Sequence, residues 1–289
     1  MTQQPGIFAL GSRAHHHLYF SVKDHSTVLD VLSATFELVT GVRSVNVVVG
    51  LRPSIARQLN PQSVDSTLDD FAEMSANGVT IPADQHDLWM WVHGATPDSC
   101  YDATAAIVAD LAPHATLTDE QTAFTYLGSQ DLSGFEDGTE NPPIHDSVAL
   151  LSSSDSALDT VALIQRWVHD LTEVKKLPPE QYDALIGRTL ADSEELDPPQ
   201  RTERSHISRV VIEDDEGEEL EMFRRSAPFG NQLEHGLLFA GFAPDFQRMH
   251  RMLDEMIGAN DGVTDHVNDF STCTGSGWYV IPPLEALGN

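Results

Sequence analysis

Apolar residues alternate with polar ones along several short stretches of the chain, and elsewhere they recur with helical spacing. In the first half, this pattern predicts strands over 17–22, 44–51, 87–94 and 116–128. It predicts helices over 25–40 and from Pro97 through about Leu111. The resulting order, β-α-β-β-α-β, is typical of a ferredoxin-like unit, in which helices cover one face of an antiparallel sheet.

The second half follows the same order of elements. Strands are predicted over 160–169, 219–226, 235–243 and 277–283, and helices over 179–188 and 244–258. We therefore expect an α+β fold built from two ferredoxin-like halves, residues 1–130 and 131–289. Two polar segments interrupt the second half, a loop over 131–145 and an insertion over 188–217. Long irregular segments in a compact domain are usually functional or disordered.

The charge balance narrows the classes of partner. The chain of 289 residues carries 45 acidic and 16 basic residues, which gives a net charge of -29. Such a surface repels nucleic acid and anionic membranes, so neither is an expected partner. The two cysteines are too few for a disulfide framework, and no secretory signal or long apolar run is present. We expect a cytoplasmic protein.

The loop between the two halves contains the run SGFEDGTENPP, in which Asp137 stands directly before a glycine. Glycine, proline, aspartate and asparagine are also the residues that build turns. The turn interpretation and a chemical task for Asp137 therefore both remain open on this pattern alone.

Two other positions carry candidate chemistry. His206 lies where the polar insertion meets a β-branched apolar run, and a satisfied structural histidine is the competing interpretation. Arg224 and Arg225 follow each other on a predicted strand, so one of them must point toward the apolar side. A buried arginine needs an anionic partner, which is either an internal carboxylate or a bound anion. The run His15-His16-His17 lacks carboxylates at ligand spacing, and we assign it a structural or solvent-facing role.

An acid in a glycine turn, a histidine at a core boundary and a strand arginine together suit peroxide chemistry on haem. A ferric ion needs an axial imidazole. Peroxide cleavage needs a carboxylate that moves a proton between the two oxygens and a cation that stabilises the departing charge.

Four separated motifs carry a resemblance to a known family. These are GFEDGTENP, IGRT followed by SHISR, FRRSAPFG and DGVTDHVNDFS, which span about residues 130 to 281. Together they resemble the dye-decolorizing peroxidases, specifically their signal-less bacterial branch, whose G-x-x-D-G motif is present as residues 134–138. The resemblance implies a dimeric-α/β-barrel-type unit and non-covalent haem b.

On the distal side of the haem, the resemblance assigns Asp137 as the acid–base residue. Arg224 would be the distal arginine, assisted by Ser226, where some members of the family have asparagine. Leu238 and Phe239 would help to line the distal pocket. Ser226 carries one short hydroxyl in place of an amide, so the hydrogen bonds to peroxide are expected to differ.

On the proximal side, the resemblance assigns His206 as the iron ligand and Arg188 as the partner of a haem propionate. Asp265 would accept a hydrogen bond from the imidazole, although Asp269 lies one helical turn later and is an alternative. Gly138 and Thr139 are also expected to border the cofactor.

The activity implied is reduction of hydrogen peroxide through a ferryl intermediate, with oxidation of dyes, phenolics or similar one-electron donors. Because aspartate remains a base at lower pH than histidine, we expect an acid-shifted optimum. Homo-oligomers are expected by resemblance, and loading into an encapsulin shell is disfavoured because the sequence ends at PPLEALGN. The alternatives are a haem-handling protein with incidental peroxidase activity and a haem-free ferredoxin-like protein.

Overall fold

The computed structural model describes residues 2–25, 28–40, 44–152, 159–214 and 216–287. Positions 26 and 27 of the predicted helix 25–40 and position 215 of the insertion lie outside these ranges. The first half consists of β1 (Ala14–Val22), α1 (Val28–Thr40), β2 (Val45–Leu51), α2 (Pro53–Leu59), β3 (Met74–Ala76), β4 (Val79–Ile81), β5 (Leu88–Gly94), α3 (Pro97–Leu111) and β6 (Ala115–Phe124).

The second half contains the same alternation with a longer insertion. Its elements are α4 (Ile144–Leu151), β7 (Thr160–His169), α5 (Pro179–Ile186), α6 (His206–Val210), β8 (Phe223–Arg224), β9 (Ala227–Gly230), β10 (His235–Ala243), α7 (Gln247–Met256), β11 (Ser271–Ile281) and α8 (Leu284–Leu287). Short 3-10 turns occur over Pro5–Phe8, Val174–Lys176 and His266–Asp269.

The two halves share one strand order. The first half pairs as β6-β1-β5-β2, and the second pairs as β11-β7-β10, with β8 and β9 both on the far side of β10. In each half the first and third strands are therefore central, which is the ferredoxin-like arrangement, and every pairing is antiparallel. The fold class is α+β with two ferredoxin-like halves, as predicted.

The halves join into one curved sheet. β2 meets β11 through Leu51 and Val280. At the other end of the strand order, Ala123 of β6 packs with Ala227 and Phe229 of β9, so the two edges of the sheet lie against each other. This curvature brings the sheet close to a barrel. The boundary at residue 130 stays a prediction, because one sheet runs through both halves.

The two faces of the sheet differ in composition. On β1, Leu18 and Phe20 belong to the large apolar cluster that includes residues of α1 and α3. His15 and His17, which alternate with them, accept hydrogen bonds from the indole nitrogens of Trp91 and Trp89 at 3.2 Å. The histidine run is therefore buried, which is the structural alternative rather than the solvent-facing one.

Local signals explain where the helices next to the insertion begin and end. α5 starts after Pro178 with Pro179 in its first turn, where a missing amide hydrogen costs nothing. It ends at Gly187, whose φ of 94° is left-handed. A side chain at this glycine would come within 2.7 Å of Ile207, so the close packing of α5 on α6 also requires glycine.

Several strand predictions need correction. The first strand begins at Ala14 rather than at His17, and the strand predicted over 116–128 ends at Phe124. The strand predicted over 219–226 is broken, since pairing with β10 occurs at residues 223–224 in β8 and again at 227–230 in β9. The strand predicted over 277–283 begins earlier, at Ser271, and ends at Ile281. The run STCTGS resembles a loop in sequence, but its small side chains fit beside β7, where the register shifts between Cys273 and Gly275.

Candidate active site

A large cavity lies within the second half of the chain. Its empty volume is about 1350 Å³, a figure that includes the open solvent at its mouth. The sheet contributes Trp167, Leu237 and Phe239 to its lining, and the helices contribute Val210 and Met252. Among the predicted site residues, the lining includes Asp137, Thr139, Arg188, His206, Arg224 and Phe239.

His206 is the first residue of α6, and its side chain is 25% exposed toward this cavity. Its Nδ1 lies 2.7 Å from Oδ2 of Asp265, which is fully buried. A carboxylate only accepts, so Nδ1 carries the proton and Nε2 keeps its lone pair for a ligand.

The orientation of Asp265 is fixed by the local backbone. Its Oδ1 accepts a hydrogen bond from the Val267 amide at 2.8 Å. Asp269, the alternative partner of His206, instead accepts from Arg204 at 2.7 Å and pairs with His266 at 2.8 Å. The structure therefore places Asp265 beside His206.

Asp137 and Arg224 border the same cavity. Arg224 Nε lies 3.9 Å from Asp137 Oδ1, and both side chains are about one-fifth exposed. The Asp137 amide donates to the Ser129 carbonyl at 2.9 Å, which folds the loop back on itself. The glycine turn and β8 thus bring together two side chains that lie far apart in sequence.

Asn141 fastens the loop to β8, a role that no pattern in the sequence indicated. Its Nδ2 donates to the Arg224 carbonyl and its Oδ1 accepts from the Arg224 amide, both at 2.8 Å. Gly138 has a φ of 79°, and a side chain there would come within 2.6 Å of Asn141 Nδ2. Gly138 is therefore required both by its backbone conformation and by this clamp.

A second cavity adjoins the first at Asp137 and Arg224, since both residues also line it. Gly138 and Ser226 line this second cavity. The Ser226 hydroxyl oxygen is buried and has no hydrogen-bond partner in the described part of the chain. A buried hydroxyl without a partner costs free energy, so its position favours a polar guest.

Arg188 borders the large cavity beside several acids. Its Nη2 pairs with Glu140 and lies 3.6 Å from a Glu195 carboxylate oxygen, and its Nη1 donates to the Ser193 carbonyl at 2.9 Å. Nearby, burial and the charges of Glu140 and other acids raise the pKa of Glu219 above its usual value. The mouth of the cavity is therefore acidic.

The prediction that Leu238 lines the pocket is wrong. Along β10, Leu237 and Phe239 face the cavity, whereas Leu238 is fully buried on the opposite face with Ala227 and Phe229. Because side chains alternate along a strand, a shift of one residue exchanges the two faces. Leu237 takes the place that was assigned to Leu238.

The fold and the cavity, which holds a carboxylate-oriented imidazole together with an acid and an arginine, define a peroxidase-like protein. The family model described as "Dyp-type peroxidase, C-terminal" matches residues 128–286, and the chain belongs to this family.

Relatives and solved structures agree with this membership. The chain is 31% identical over 275 residues to a dye-decolorizing peroxidase of Mycobacterium tuberculosis, covering 91% of this chain and 82% of that protein. DyPB from Rhodococcus jostii RHA1 superposes with a TM-score of 0.88 at 29% identity, covering 99% of this chain and 97% of that one. A variant of the same protein, solved in complex with heme, gives a TM-score of 0.87 at 28% identity, with 97% and 96% covered.

Proposed function

We propose that this protein is a haem peroxidase that reduces hydrogen peroxide and oxidises dyes, phenolics or similar one-electron donors. The observation that carries the proposal is the shared cavity, in which His206, backed by a buried Asp265, borders the same space as Asp137 and Arg224. When bound there, haem supplies an iron centre at which peroxide is cleaved and from which electrons are drawn.

The residues present suit this cofactor. A single imidazole with a free Nε2 is what an axial haem ligand requires, and the Asp265 carboxylate makes that nitrogen more electron-donating. Arg188 is the proposed partner of a haem propionate, because a guanidinium matches a carboxylate bidentately, and the propionate would have to replace Glu140 or Glu195 beside it. The described residues hold no group of three or more His, Cys, Asp or Glu side chains suited to a bare metal ion.

Asp137 is the proposed proton carrier. It takes a proton from one peroxide oxygen and returns it to the other, which then leaves as water. Arg224, 3.9 Å from Asp137, stabilises the negative charge that develops on the leaving oxygen. Ser226 can offer its otherwise unpaired hydroxyl to peroxide or water in the second cavity.

The test is stopped-flow reaction of the haem-loaded protein with hydrogen peroxide. Asp137→Asn should slow this reaction by about 100-fold or more, since general acid–base help contributes roughly 10²–10⁴-fold. Glu136→Gln, which changes the adjacent carboxylate in both cavities, serves as the matched control and should leave the rate close to wild type. An unchanged rate in Asp137→Asn removes Asp137 from the mechanism, and the same outcome in Arg224→Leu removes Arg224.

A haem-handling protein is the competing function. It would also use His206 and Arg188, but storage or delivery does not need the paired Asp137 and Arg224 that border this cavity. Incubation with haem as the sole substrate distinguishes the two functions. Free iron with intact porphyrin supports iron release by a haem-handling protein. Unchanged haem excludes iron release, and a rapid reaction with hydrogen peroxide then separates the peroxidase from storage or delivery.

We propose a cytoplasmic homo-oligomer. No helix within the described ranges is long and apolar enough to cross a membrane. One structural neighbour is an encapsulated DyP-type peroxidase from Mycobacterium smegmatis. That this chain does not enter such a shell stays a prediction, and co-purification with a shell protein would contradict it.

A further inference from the structure

Three arginines line the second cavity, which adjoins the first at Asp137 and Arg224. They are Arg13, Arg224 and Arg225, and the carboxylates among the described lining residues are those of Glu136 and Asp137. One positive charge is therefore in excess in this lining, although the whole chain has a net charge of -29. A cavity of this sign in an acidic protein attracts small anions.

Arg225 lies against aromatic side chains, as expected for one of the two neighbouring arginines. Its guanidinium carbon lies 5.1 Å from the ring centre of Trp91 and 5.7 Å from that of Phe223. Its Nη1 donates to the Ile7 carbonyl, and its Nη2 donates to the Ala9 carbonyl at 2.7 Å. These contacts hold the guanidinium in place and use two of its five N–H donors, but none of the partners carries a formal negative charge.

Most arginines of this chain pair with acids, and Arg225 is an exception. The buried Arg209, for comparison, pairs with Glu255 at 2.6 Å and with Asp261 at 2.9 Å. Three of the described arginines have no carboxylate oxygen within 4 Å of a side-chain nitrogen: Arg13, Arg225 and Arg251. Burial lowers the pKa of Arg225 to about 10, and a charge without a counter-charge is costly. A bound anion would supply the negative charge that the described part of the chain does not.

We propose that the second cavity binds a small carboxylate of the size of formate or acetate, with Arg225 as its main partner and the exposed Arg13 as a second cation. A planar guanidinium matches a carboxylate through two parallel hydrogen bonds. A single negative charge suits the site, because the carboxylates of Glu136 and Asp137 in the same lining repel a dianion. His15 also lines the cavity and is neutral near pH 7, since burial and the charge of Arg225 lower its pKa to about 4. The inference goes beyond the proposed peroxidase function and does not depend on it.

The experiment is a calorimetric titration of the haem-loaded protein with sodium formate at pH 7 and constant ionic strength. The Soret band is recorded in parallel, so that formate on the iron is seen separately. Wild type should bind formate saturably, without a change in that band. Arg225→Met should raise the Kd by about tenfold or more, the effect of losing hydrogen bonds to a charged group. Arg13→Gln should raise it by about two- to fivefold, as expected for an exposed charge.

Arg166→Met is the matched control. Arg166 also lies over an aromatic ring, 4.4 Å from the centre of Phe229, but it pairs with Glu234 at 2.5 Å, so its loss should leave the formate Kd unchanged. Arg225→Lys keeps the charge should the methionine variant fail to fold, and the loss of the planar fork should still weaken binding.

Two results would overturn the inference. One is the absence of saturable formate binding in wild type, and the other is a wild-type Kd in the folded Arg225 variants. Formate that shifts the Soret band and binds equally well to the Arg225 variants lies on the iron, which is the second of these results. A protein that holds no haem contradicts the proposed function, and the calorimetric titration still decides this inference.

Discussion

Asp265 contacts His206, the proposed iron ligand, and would make that imidazole more electron-donating. Asp265 and Asp269 are four residues apart, and sequence alone left both as candidates for this place. The structure separates them because Asp265 turns inward beside His206, while Asp269 pairs with Arg204 and His266.

Replacing Asp265 with asparagine tests this contact. The amide removes the negative charge behind the imidazole, so we expect the reduction potential of the bound haem to rise and haem affinity or activity to fall about 10–100-fold. Spectroelectrochemistry and hemin titration give the two values. Asp269→Asn is the matched control and should leave both near wild type. Equal effects in the two variants would contradict the assignment.

Motifs in the sequence predicted several residues that border the cavity, but the sequence did not indicate which face of a strand or which partner a residue uses. The glycine turn identified Asp137, yet it contained no signal that Asn141 clamps the loop onto Arg224 across 83 positions. Leu238 was placed one residue away from Leu237, because alternation predicts two faces without saying which one meets the cavity.

The loop over 131–145 is held by the left-handed backbone of Gly138 and by the hydrogen bonds of Asn141 to Arg224, and not by apolar packing alone. Gly138→Ala must adopt a left-handed φ and displace Asn141, so it should lower the free energy of unfolding by more than the roughly 1–2 kcal/mol of backbone strain. It should also slow the reaction with peroxide.

Gly128→Ala measures the cost of a left-handed backbone conformation without any displaced side chain. Gly128 also has a positive φ, 98°, but an added side chain meets nothing within 4 Å. Urea unfolding should therefore show a smaller loss for Gly128→Ala than for Gly138→Ala, and the peroxide rate should be unaffected. Equal losses would mean that the Asn141 clamp contributes nothing.

Most strands of the sheet could be predicted because their sequences alternate apolar with polar residues or form short apolar runs. Examples are β1, β5, β7 and β10. The hairpin of β3 and β4 and the helices α2 and α4 had no comparable signal, since each is short and only partly apolar. β8 and β9 appeared as one strand because apolar composition continued through a break in pairing that only the neighbouring β10 defines.

Buried histidines lower the stability of the folded protein at acidic pH. Burial, aided by neighbouring charges, lowers the pKa of His15 to about 4 and of His17 to about 3, and it also lowers the pKa of His93. The unfolded chain therefore binds more protons than the folded one below the usual value of 6.5. The contribution of these neutral histidines to the free energy of unfolding is complete above that pH, and it is lost as the pH falls toward 4. Asp159, whose pKa is raised to about 6 by burial, has the opposite effect. The folded state holds its proton more tightly, so its contribution to stability is lost as the pH rises through about 6.

His17→Gln tests this limit, because glutamine can still accept the Trp89 hydrogen bond but does not titrate. The free energy of unfolding, measured by urea at pH 6.5, 5.5 and 4.5, should fall less steeply than in wild type. His250→Gln, at an exposed position, should keep the wild-type slope. An unchanged slope in His17→Gln would mean that the buried ring does not carry the acid sensitivity.

The most direct test of the central claim is a hemin titration of the purified protein and of His206→Ala. Wild type should develop a Soret band that saturates at one haem per chain, and His206→Ala should lose or greatly alter that band. His266→Ala, a mostly buried histidine that pairs with Asp269, should bind as wild type does. An unaltered ferric spectrum and affinity in His206→Ala would contradict the account, because the cavity would then hold haem without this ligand.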